Sequence, residues 1–581
     1  LLITLQKLLK KADLKMTKQL LLLGLFFMSS FAFSQKGKPK MVKNFWDFNK
    51  SKIQSQGFYY RDDFYGETTM EHGLWRYWDQ QGRLEEERNY FKGELHGEVI
   101  RYYPNGNPKE QGFFKEGKQD SVFTSWYENG KVKEKGYYSM NRPVGDWKYY
   151  YFNGYHMMEE TIKDSMTYVM NFWLPDSTQT LKNGDGRTLI YYTSTGHLQE
   201  FYTYKDGVKN GDFEEYTASG KIFAQGHYAD GKKDGKWRYW YYTGDLDRIV
   251  HYKEGNLEGT YKKYYDNGQL KVNGVHANGK KTGTWTWYTN VGTKDMEGEF
   301  KEDLQDGFWK YWFPGDSVQV ESQGYFKAGK RDGDWEFFYK DGSQWKKGAY
   351  ADDKETGEWK TWFENGQLLK QGSFVEGMEN GEWQQWFDNG DLKNVANFDN
   401  GTLHGLWQSY FKKGKLHLEG TYDHDLKDGE WKRFDKKGRL LEIGSYKIIN
   451  HKKGVKYGPF SKRTLKQSVR HGHWQWYSDK DGRLTHEGDY KNGKEEGEWI
   501  YYFKGGVKAS RIINYKDGKL HGKMLIFQWR PHRVTQEINY KDGLKHGKMY
   551  VFDRRGKPVV EKTFEEGMEK KETAGGGSFR P

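Results

Sequence analysis

Gly357-Glu358-Trp359-Lys360-Thr361-Trp362-Phe363-Glu364-Asn365-Gly366-Gln367-Leu368-Leu369-Lys370-Gln371-Gly372-Ser373-Phe374 reads as one β-hairpin. Asn-Gly is the strongest two-residue hairpin signal, because both central places of a type I′ turn need positive φ. With Asn365-Gly366 at the tip, the register sets Phe363 against Leu368, Trp359 against Gly372 and Gly357 against Phe374. Each outer glycine then faces a ring, an aromatic-over-glycine pairing in which a large side chain covers the backbone that glycine leaves bare. The same register sets Trp407 against Gly420 and Trp431 against Gly444, while Trp383 meets Ala396, still small enough to leave room beneath a ring. Asn-Gly recurs at Asn105-Gly106, Asn129-Gly130, Asn267-Gly268 and Asn389-Gly390.

The hairpin is one copy of a repeat. Its anchor glycine returns at Gly211, Gly235, Gly259, Gly283, Gly307, Gly333, Gly357, Gly381, Gly405 and Gly429, always 24 residues on except for one step of 26. Gly73, Gly97 and Gly145 extend the series upstream, and Gly472, Gly497, Gly522 and Gly547 continue it downstream at a spacing of 25. A fixed period of this size means stacked supersecondary units. Short loops such as Glu376–Asn380 join the hairpins, and no helical periodicity of useful length intervenes. The expected fold is all-β: an elongated single-sheet solenoid of about 20 stacked antiparallel hairpins, roughly 190 Å long at about 4.8 Å per strand.

Composition supports a folded chain with an unusual core. Of 581 residues, 18% are aromatic and 30% charged, with 24 Trp, 44 Tyr, 35 Phe and only 10 Pro. Disordered chains lack such aromatic surface. Absence of cysteine excludes disulfides, thiolate metal sites and a lipidated N-terminal Cys. Residues 16–34 read as a secretory signal: Lys18 supplies the positive region, Leu20 to Phe27 the apolar run, and Ala32-Phe33-Ser34 the small-residue cleavage site before Gln35. The apolar run is shorter than the ~20 residues that span a bilayer. Residues 1–15 are taken as upstream read-through, and the mature chain is expected to be exported, whether periplasmic, cell-surface or secreted, with no transmembrane span. Loss of the first 34 residues removes five lysines and one aspartate, leaving +9 of the formal +13. That mild excess points to a mixed-charge surface rather than to nucleic acid as partner.

The motif Gly-x-Trp-x-x-Tyr/Trp-Phe/Tyr-x-x-Gly, with loops such as Asp206-Gly207-Val208-Lys209-Asn210-Gly211 and Lys516-Asp517-Gly518-Lys519-Leu520-His521-Gly522, resembles the MORN repeats. The bacterial variant form labelled YwqK-type antitoxin is the nearest in kind, and the resemblance covers roughly residues 57–570. It implies a β-hairpin solenoid with an interaction or scaffold role.

Chemical motifs are sparse. Histidine precedes the anchor glycine at His72, His96, His404, His471, His521 and His546. Equivalent places in neighbouring units lie about 10 Å apart, too far for two imidazoles to share a zinc at about 2.1 Å from each nitrogen; Asp234, Asp306, Asp332, Asn210 and Thr282 fill the same place elsewhere. No metal is therefore expected. Gly274-Val275-His276-Ala277-Asn278-Gly279-Lys280 imitates a phosphate loop, but Lys281 stands where Ser or Thr is needed, and no cofactor is expected. Acidic residues change place from unit to unit and form no paired-acid or Ser-His-Asp arrangement, so no catalytic residue is assigned.

Two surfaces are candidates for binding. The fifth residue after each anchor is always a ring, with Trp240, Trp312, Trp362 and Trp386 the largest; its odd offset places it on the face opposite the Gly/Trp pairs. Such rings either pack along that face or form a ladder for sugars or a protein partner. A basic stretch free of Asp and Glu runs from Ser445 to His471 and carries Lys452, Lys453, Lys456, Lys462, Arg463 and Lys466, suited to an anionic headgroup or polymer unless it is a solvated loop. Gly357, Trp359, Gly372, Gly381, Trp383, Gly405, Trp407 and Gly420 are assigned structural roles. The expected organisation is a linker over 35–56, repeats over 57–160, an irregular unit over 161–185, repeats over 186–444, the basic insertion over 445–471, repeats over 472–570 and a flexible tail over 571–581. The leading expectation is a non-enzymatic exported scaffold for an unknown protein or envelope polymer. Carbohydrate binding through the ring ladder, or toxin neutralisation as an antitoxin or immunity protein, are the alternatives.

Overall fold

The computed structural model describes residues 39–62, 68–315, 319–452 and 464–570. Residues 1–15, the stretch 16–34 read as a secretory signal and the stretch 571–581 read as a tail fall outside them. Among the described residues there are 43 strands and no helix. The chain divides into two compact units, Leu1–Asn256 and Leu257–Pro581. Within each, every strand pairs antiparallel with its chain neighbours, as Leu198–Lys205 does with Val208–Tyr216 in the first unit and Lys354–Trp362 with Leu368–Val375 in the second. The fold class read from the sequence is the one observed: an all-β, open antiparallel sheet built of hairpin repeats.

The hairpin register holds at its base and differs at its tip. Trp359 pairs with Gly372 and Gly357 with Phe374, but Trp362, not Phe363, faces Leu368. Phe363 N–H instead donates to Gln367 O at 2.8 Å, and Gly366 N–H to Phe363 O at 2.9 Å. Only Gly366 of the pair has positive φ, +81°. This is a three-residue loop, a type I turn closed by a glycine bulge, and the extra residue produces the slip. Asn365 is selected for its side chain: its Oδ1 accepts from Gln367 N–H at 3.0 Å, and its Nδ2 donates to Asp388 O of the next hairpin at 2.8 Å. Asn105, Asn129 and Asn267 bridge to the following hairpin in the same way.

Type I′ turns do occur, at the other connection. Val375 pairs with Met378, and the two residues between them, Glu376 and Gly377, have φ of 51° and 81°. Gly377 N–H donates to Glu355 O of the preceding hairpin at 2.9 Å, so each of these turns is also tied to its neighbour.

The glycine and tryptophan pairing is real, but the ring comes from another strand. A Cβ built on Gly372 would lie 2.1 Å from Cδ2 of Trp383, one hairpin further on, and Trp359 lies in the same way over Gly348. Likewise Trp431 covers Gly420 and Trp474 covers Gly444. Anchor glycines do something else. Gly357 has φ +64° and a Cβ there would meet nothing within 4 Å; Gly381 and Gly405 share the positive φ. They permit a break in the ladder: Lys347 pairs with Lys360 and Ala349 with Thr356, so Gly348 alone faces three residues. Through this break the Trp359 indole folds down, and its Nε1 donates to Ala349 O at 3.1 Å.

These indoles are the core. Trp359 is 2% exposed and Trp383 4%, whereas Trp407, opposite Ala396 rather than glycine, stays partly exposed. Burying one indole of about 200 Å² is worth up to roughly 5 kcal/mol before entropy. A sheet one layer thick thus obtains its apolar burial from rings laid flat on its own backbone.

Irregular segments follow the same logic. The stretch read as a linker over 35–56 contributes the strand Lys40–Phe45 and the start of Ile53–Asp62; Val42 pairs with Gly57, which itself lies under Trp75. The first indole needs a strand under it, and that strand needs a partner to cover its edge. In 161–185, the four-residue strand Gln179–Lys182 replaces the usual eight, and Leu181, fully buried against Val169, Phe172 and Tyr204, substitutes for an indole. The basic segment is a lengthened hairpin, Leu440–Lys452 against Thr464–Tyr477, with paired backbone out to Lys452 and Thr464.

Candidate functional site

A strand that opens with Gly-x-Trp places the second and fourth residues after the glycine on one face. The second is the indole of the core. The fourth lies beside it and varies: Trp287, Tyr311 and Phe337 in three successive units, then Thr361, Gln385, Ser409 and Arg433. Where it is aromatic it stacks on its own indole, Tyr311 at 6.0 Å from Trp309 and Phe337 at 5.9 Å from Trp335, with ring planes within 30°.

The aromatic run opens into a groove of about 690 Å³, within the second unit. Its floor is Trp335, whose Nε1 donates to Tyr325 O at 3.0 Å. Tyr311 stacks beside it at 6.4 Å and Phe326 meets it edge-on at 5.3 Å. One wall is Trp345, 43% exposed and edge-on to Phe337 at 6.1 Å. Tyr339 also touches Trp345, at 6.2 Å, and is fixed by its hydroxyl donating to Trp362 O at 2.8 Å. Burial raises the phenol pKa of Tyr311 above its ordinary value, and burial assisted by Glu364 and Asp341 does so for Tyr339, so both stay neutral. Arg331 closes an end: its guanidinium sits 4.0 Å from the Tyr350 ring centre and 3.3 Å from Asp353 Oδ1, its charge already matched. The remaining polar groups in the lining are Glu321, Ser322 and Lys340. Eight of the twelve lining residues are rings, so the lining offers mainly apolar contact.

The ring positions singled out in the sequence lie elsewhere. Trp240, Trp312, Trp362 and Trp386 each end a strand and are half-buried. Among the described residues none of the four is in ring contact with another; Trp312 instead meets Lys294 Nζ at 5.4 Å. Lys453, Lys456, Lys462 and Arg463, with the side chain of Lys452, lie outside the described residues, and Lys466 is exposed opposite Asn450. Arg470, in the same basic stretch, is not free: it donates to Glu442 Oε1 at 2.9 Å and lies over Trp474 at 4.5 Å. Trp345 and Phe337 went unassigned. A tryptophan at neither the second nor the fifth place after an anchor was the available signal for the first, and three aromatic fourth residues in a row for the second.

Nine segments match the MORN repeat variant: 95–116, 119–140, 209–230, 233–254, 257–278, 355–376, 379–400, 403–424 and 427–447. This chain is built of MORN repeats. MORN repeats generally suggest a repeat scaffold for protein or membrane interaction. The groove falls between the matched segments 257–278 and 355–376, where the MORN period lengthens to 26 residues. No curated protein matches the chain. Among solved structures, a TcdB2-TccC3 crystal structure lacking the hypervariable C-terminal region aligns with 90% of this chain and 30% of its own, at 10% identity and a TM-score of 0.14. The Photorhabdus luminescens Tc holotoxin pore gives 89%, 31%, 10% and 0.14. The MORN chain spans about 30% of the length of these chains, and TM-scores so low carry no argument about its function. Among the described residues no helix is long and apolar enough to cross a membrane.

Proposed function

We propose that this MORN-repeat chain is an exported, non-enzymatic scaffold that holds a polypeptide partner of the cell envelope in the groove over Trp335. The observation that carries the reading is the groove itself, about 690 Å³ and walled by the exposed Trp345. Exposed apolar rings in a concave site mark interaction surfaces. The ring geometry favours side chains of a protein over a sugar. A sugar platform presents an open ring face, whereas Tyr311, Trp335 and Phe337 stack on one another and Trp345 stands edge-on at 81° to Phe337. Apolar partner residues fill such a cleft without needing a flat face. Export rests on the signal-like residues 16–34, and the non-enzymatic reading on a lining made mostly of rings, with Arg331 paired to Asp353.

The test is photocrosslinking from position 340, at the groove rim, in the native host. Capture of one protein, abolished by Trp345→Ala with Phe337→Ala and kept by Trp362→Ala with Trp386→Ala, is the expected result. Capture indifferent to the groove pair, or dependent on the ladder pair, overturns the proposal, and ladder-dependent binding on a glycan array would turn it toward carbohydrate.

A further inference from the structure

The repeat fixes which residue types stand at each turn, so a unit that brings several ligand-type side chains to neighbouring places is informative. The first residue of the two-residue turn is Asp, Glu or Asn in most units, as at Asp352, Glu376 and Asn400; in the next it is His424, with φ +47°. The residue before it, often Lys or Ala, is Asp423 there. The residue before the anchor glycine facing this turn is His404. Spacing between like places in neighbouring units argued against a shared metal, but the structure brings together unlike places. Asp425 N–H donates to Leu403 O at 2.9 Å, and Leu403 N–H donates to Asp425 Oδ1 at 2.8 Å. That double link docks the turn onto the strand Thr402–Tyr410 beside His404.

From this geometry we propose that His404, Asp423 and His424 form a binding site for a divalent transition metal, Zn²⁺ being the ion of choice. One ligand atom from each lies within 4.8 Å of the others. A tetrahedral ion at about 2.0–2.1 Å from its ligands sets them about 3.3 Å apart. His404 Nδ1 and Asp423 Oδ1 already stand at 3.3 Å; His424 Nδ1, now hydrogen-bonded to that oxygen at 2.6 Å, has to withdraw from it, and the two imidazole ligand atoms, within 4.8 Å of each other, have to come to about the same 3.3 Å. Two imidazoles and one carboxylate select Zn²⁺, Co²⁺ or Ni²⁺ over Mg²⁺ and Ca²⁺, which prefer oxygen. Both histidines are exposed, which leaves the outer coordination positions to water. The ion would clamp one turn to the strand of the preceding hairpin.

The test uses the metal-free full chain, titrated with Zn²⁺ by calorimetry and with Co²⁺ by visible absorption. His404→Asn and His424→Asn are the variants, because Asn already stands at these repeat places at Asn380 and Asn400 and the turns there are formed. Loss of even an outer partner of a metal ligand costs about 10–100-fold in affinity, so each variant should weaken binding at least that much and abolish the Co²⁺ band. His521→Asn is the control, since His521 pairs with Asp542 at 3.4 Å outside the three-residue cluster and should leave this binding unchanged. Absence of saturable Zn²⁺ uptake, or uptake that survives both His404→Asn and His424→Asn, overturns the proposal.

Discussion

Gly348→Ala should damage the sheet through its packing, and Gly357→Ala through its backbone, although the two glycines are nine residues apart in one hairpin repeat. A Cβ on Gly348 would stand 2.1, 2.3 and 2.5 Å from Cδ2, Cε2 and Cγ of Trp359. Ordinary carbon contacts are about 3.5–4.0 Å, so the indole has to rise by about 1.5 Å. Its bond to Ala349 O, now 3.1 Å, cannot survive that shift. Overpacking costs about 1–3 kcal/mol and the lost hydrogen bond about 1, offset by about 0.5–1 from the stiffer unfolded chain. The net is about 1–3.5 kcal/mol, or about 5- to 400-fold in a local opening equilibrium. Repeat sheets open locally, so the assay is hydrogen exchange resolved by peptide, comparing residues 344–375 with a distant segment such as 484–516. Exchange should accelerate by that factor in the first and stay unchanged in the second. Gly357→Ala meets empty space but has φ +64°, a left-handed strain of about 1–2 kcal/mol that Asn tolerates better than Ala. Gly357→Asn should therefore recover most of the loss, while Gly348→Asn should be no better than Gly348→Ala. Equal rescue by Asn at both places, or unaltered exchange in Gly348→Ala, would refute the division of the glycines into two kinds.

Asn365→Asp should keep the turn, whose Gln367 N–H it still accepts, and lose the bond to Asp388 O; Asn365→Ala loses both, and exchange of the turn should quicken stepwise by about 1 kcal/mol per bond. His473 is hydrogen-bonded to Asp489 at 2.9 Å and Glu487 at 3.1 Å; burial pulls its pKa down, but those carboxylates outweigh burial and hold it above the ordinary value. A raised histidine pKa stabilises fully below the unfolded value of about 6.5, and the gain is lost as pH rises through the folded value. The wild type should thus lose protection around residues 473–489 relative to His473→Asn as pH rises through that window, and a constant difference would contradict the pairing. N-terminal sequencing of the mature protein from its host should begin at Gln35, and retention of residues 16–34 would remove the case for export.

The alternation of glycine and indole was legible because the repeat prints it many times over, and that was enough for the fold class, the hairpins and the base of the register. Three things were not. The Asn-Gly loop has one residue more than the motif suggests, because a type I turn with a bulged glycine and a type I′ turn share the same dipeptide, and only the Nδ2 bonds to the next hairpin show why Asn is kept. The ring over each glycine belongs to the following hairpin because the ladder break at the anchor glycine lets the indole fold back across it. Spacing within one hairpin carries no trace of that fold-back. The meeting of His404 with His424 depends likewise on a turn docking onto the preceding hairpin, a contact between unlike places in the repeat.

The same division locates where the repeat is free to vary. The anchor glycine is tied to positive φ, the strand glycine to the indole above it, and the indole to a carbonyl inside the ladder break; where a unit departs, as with Ser121 at φ 81° or with Met524 against Ile513, the strand pairing is kept. Trp407 over Ala396 shows the smallest tolerated departure, and it already leaves the ring partly exposed. The fourth residue after the anchor shares the indole's face but has no such tie; it runs from Tyr311 and Phe337 to Thr361, Gln385 and Arg433 without altering the pairing of its strand. A partner that reads this row meets a different surface in each unit on an unchanged backbone. Specificity can therefore shift along the sheet by single substitutions that cost the fold little, and the one stretch where three successive fourth residues are aromatic is also the one where the groove forms.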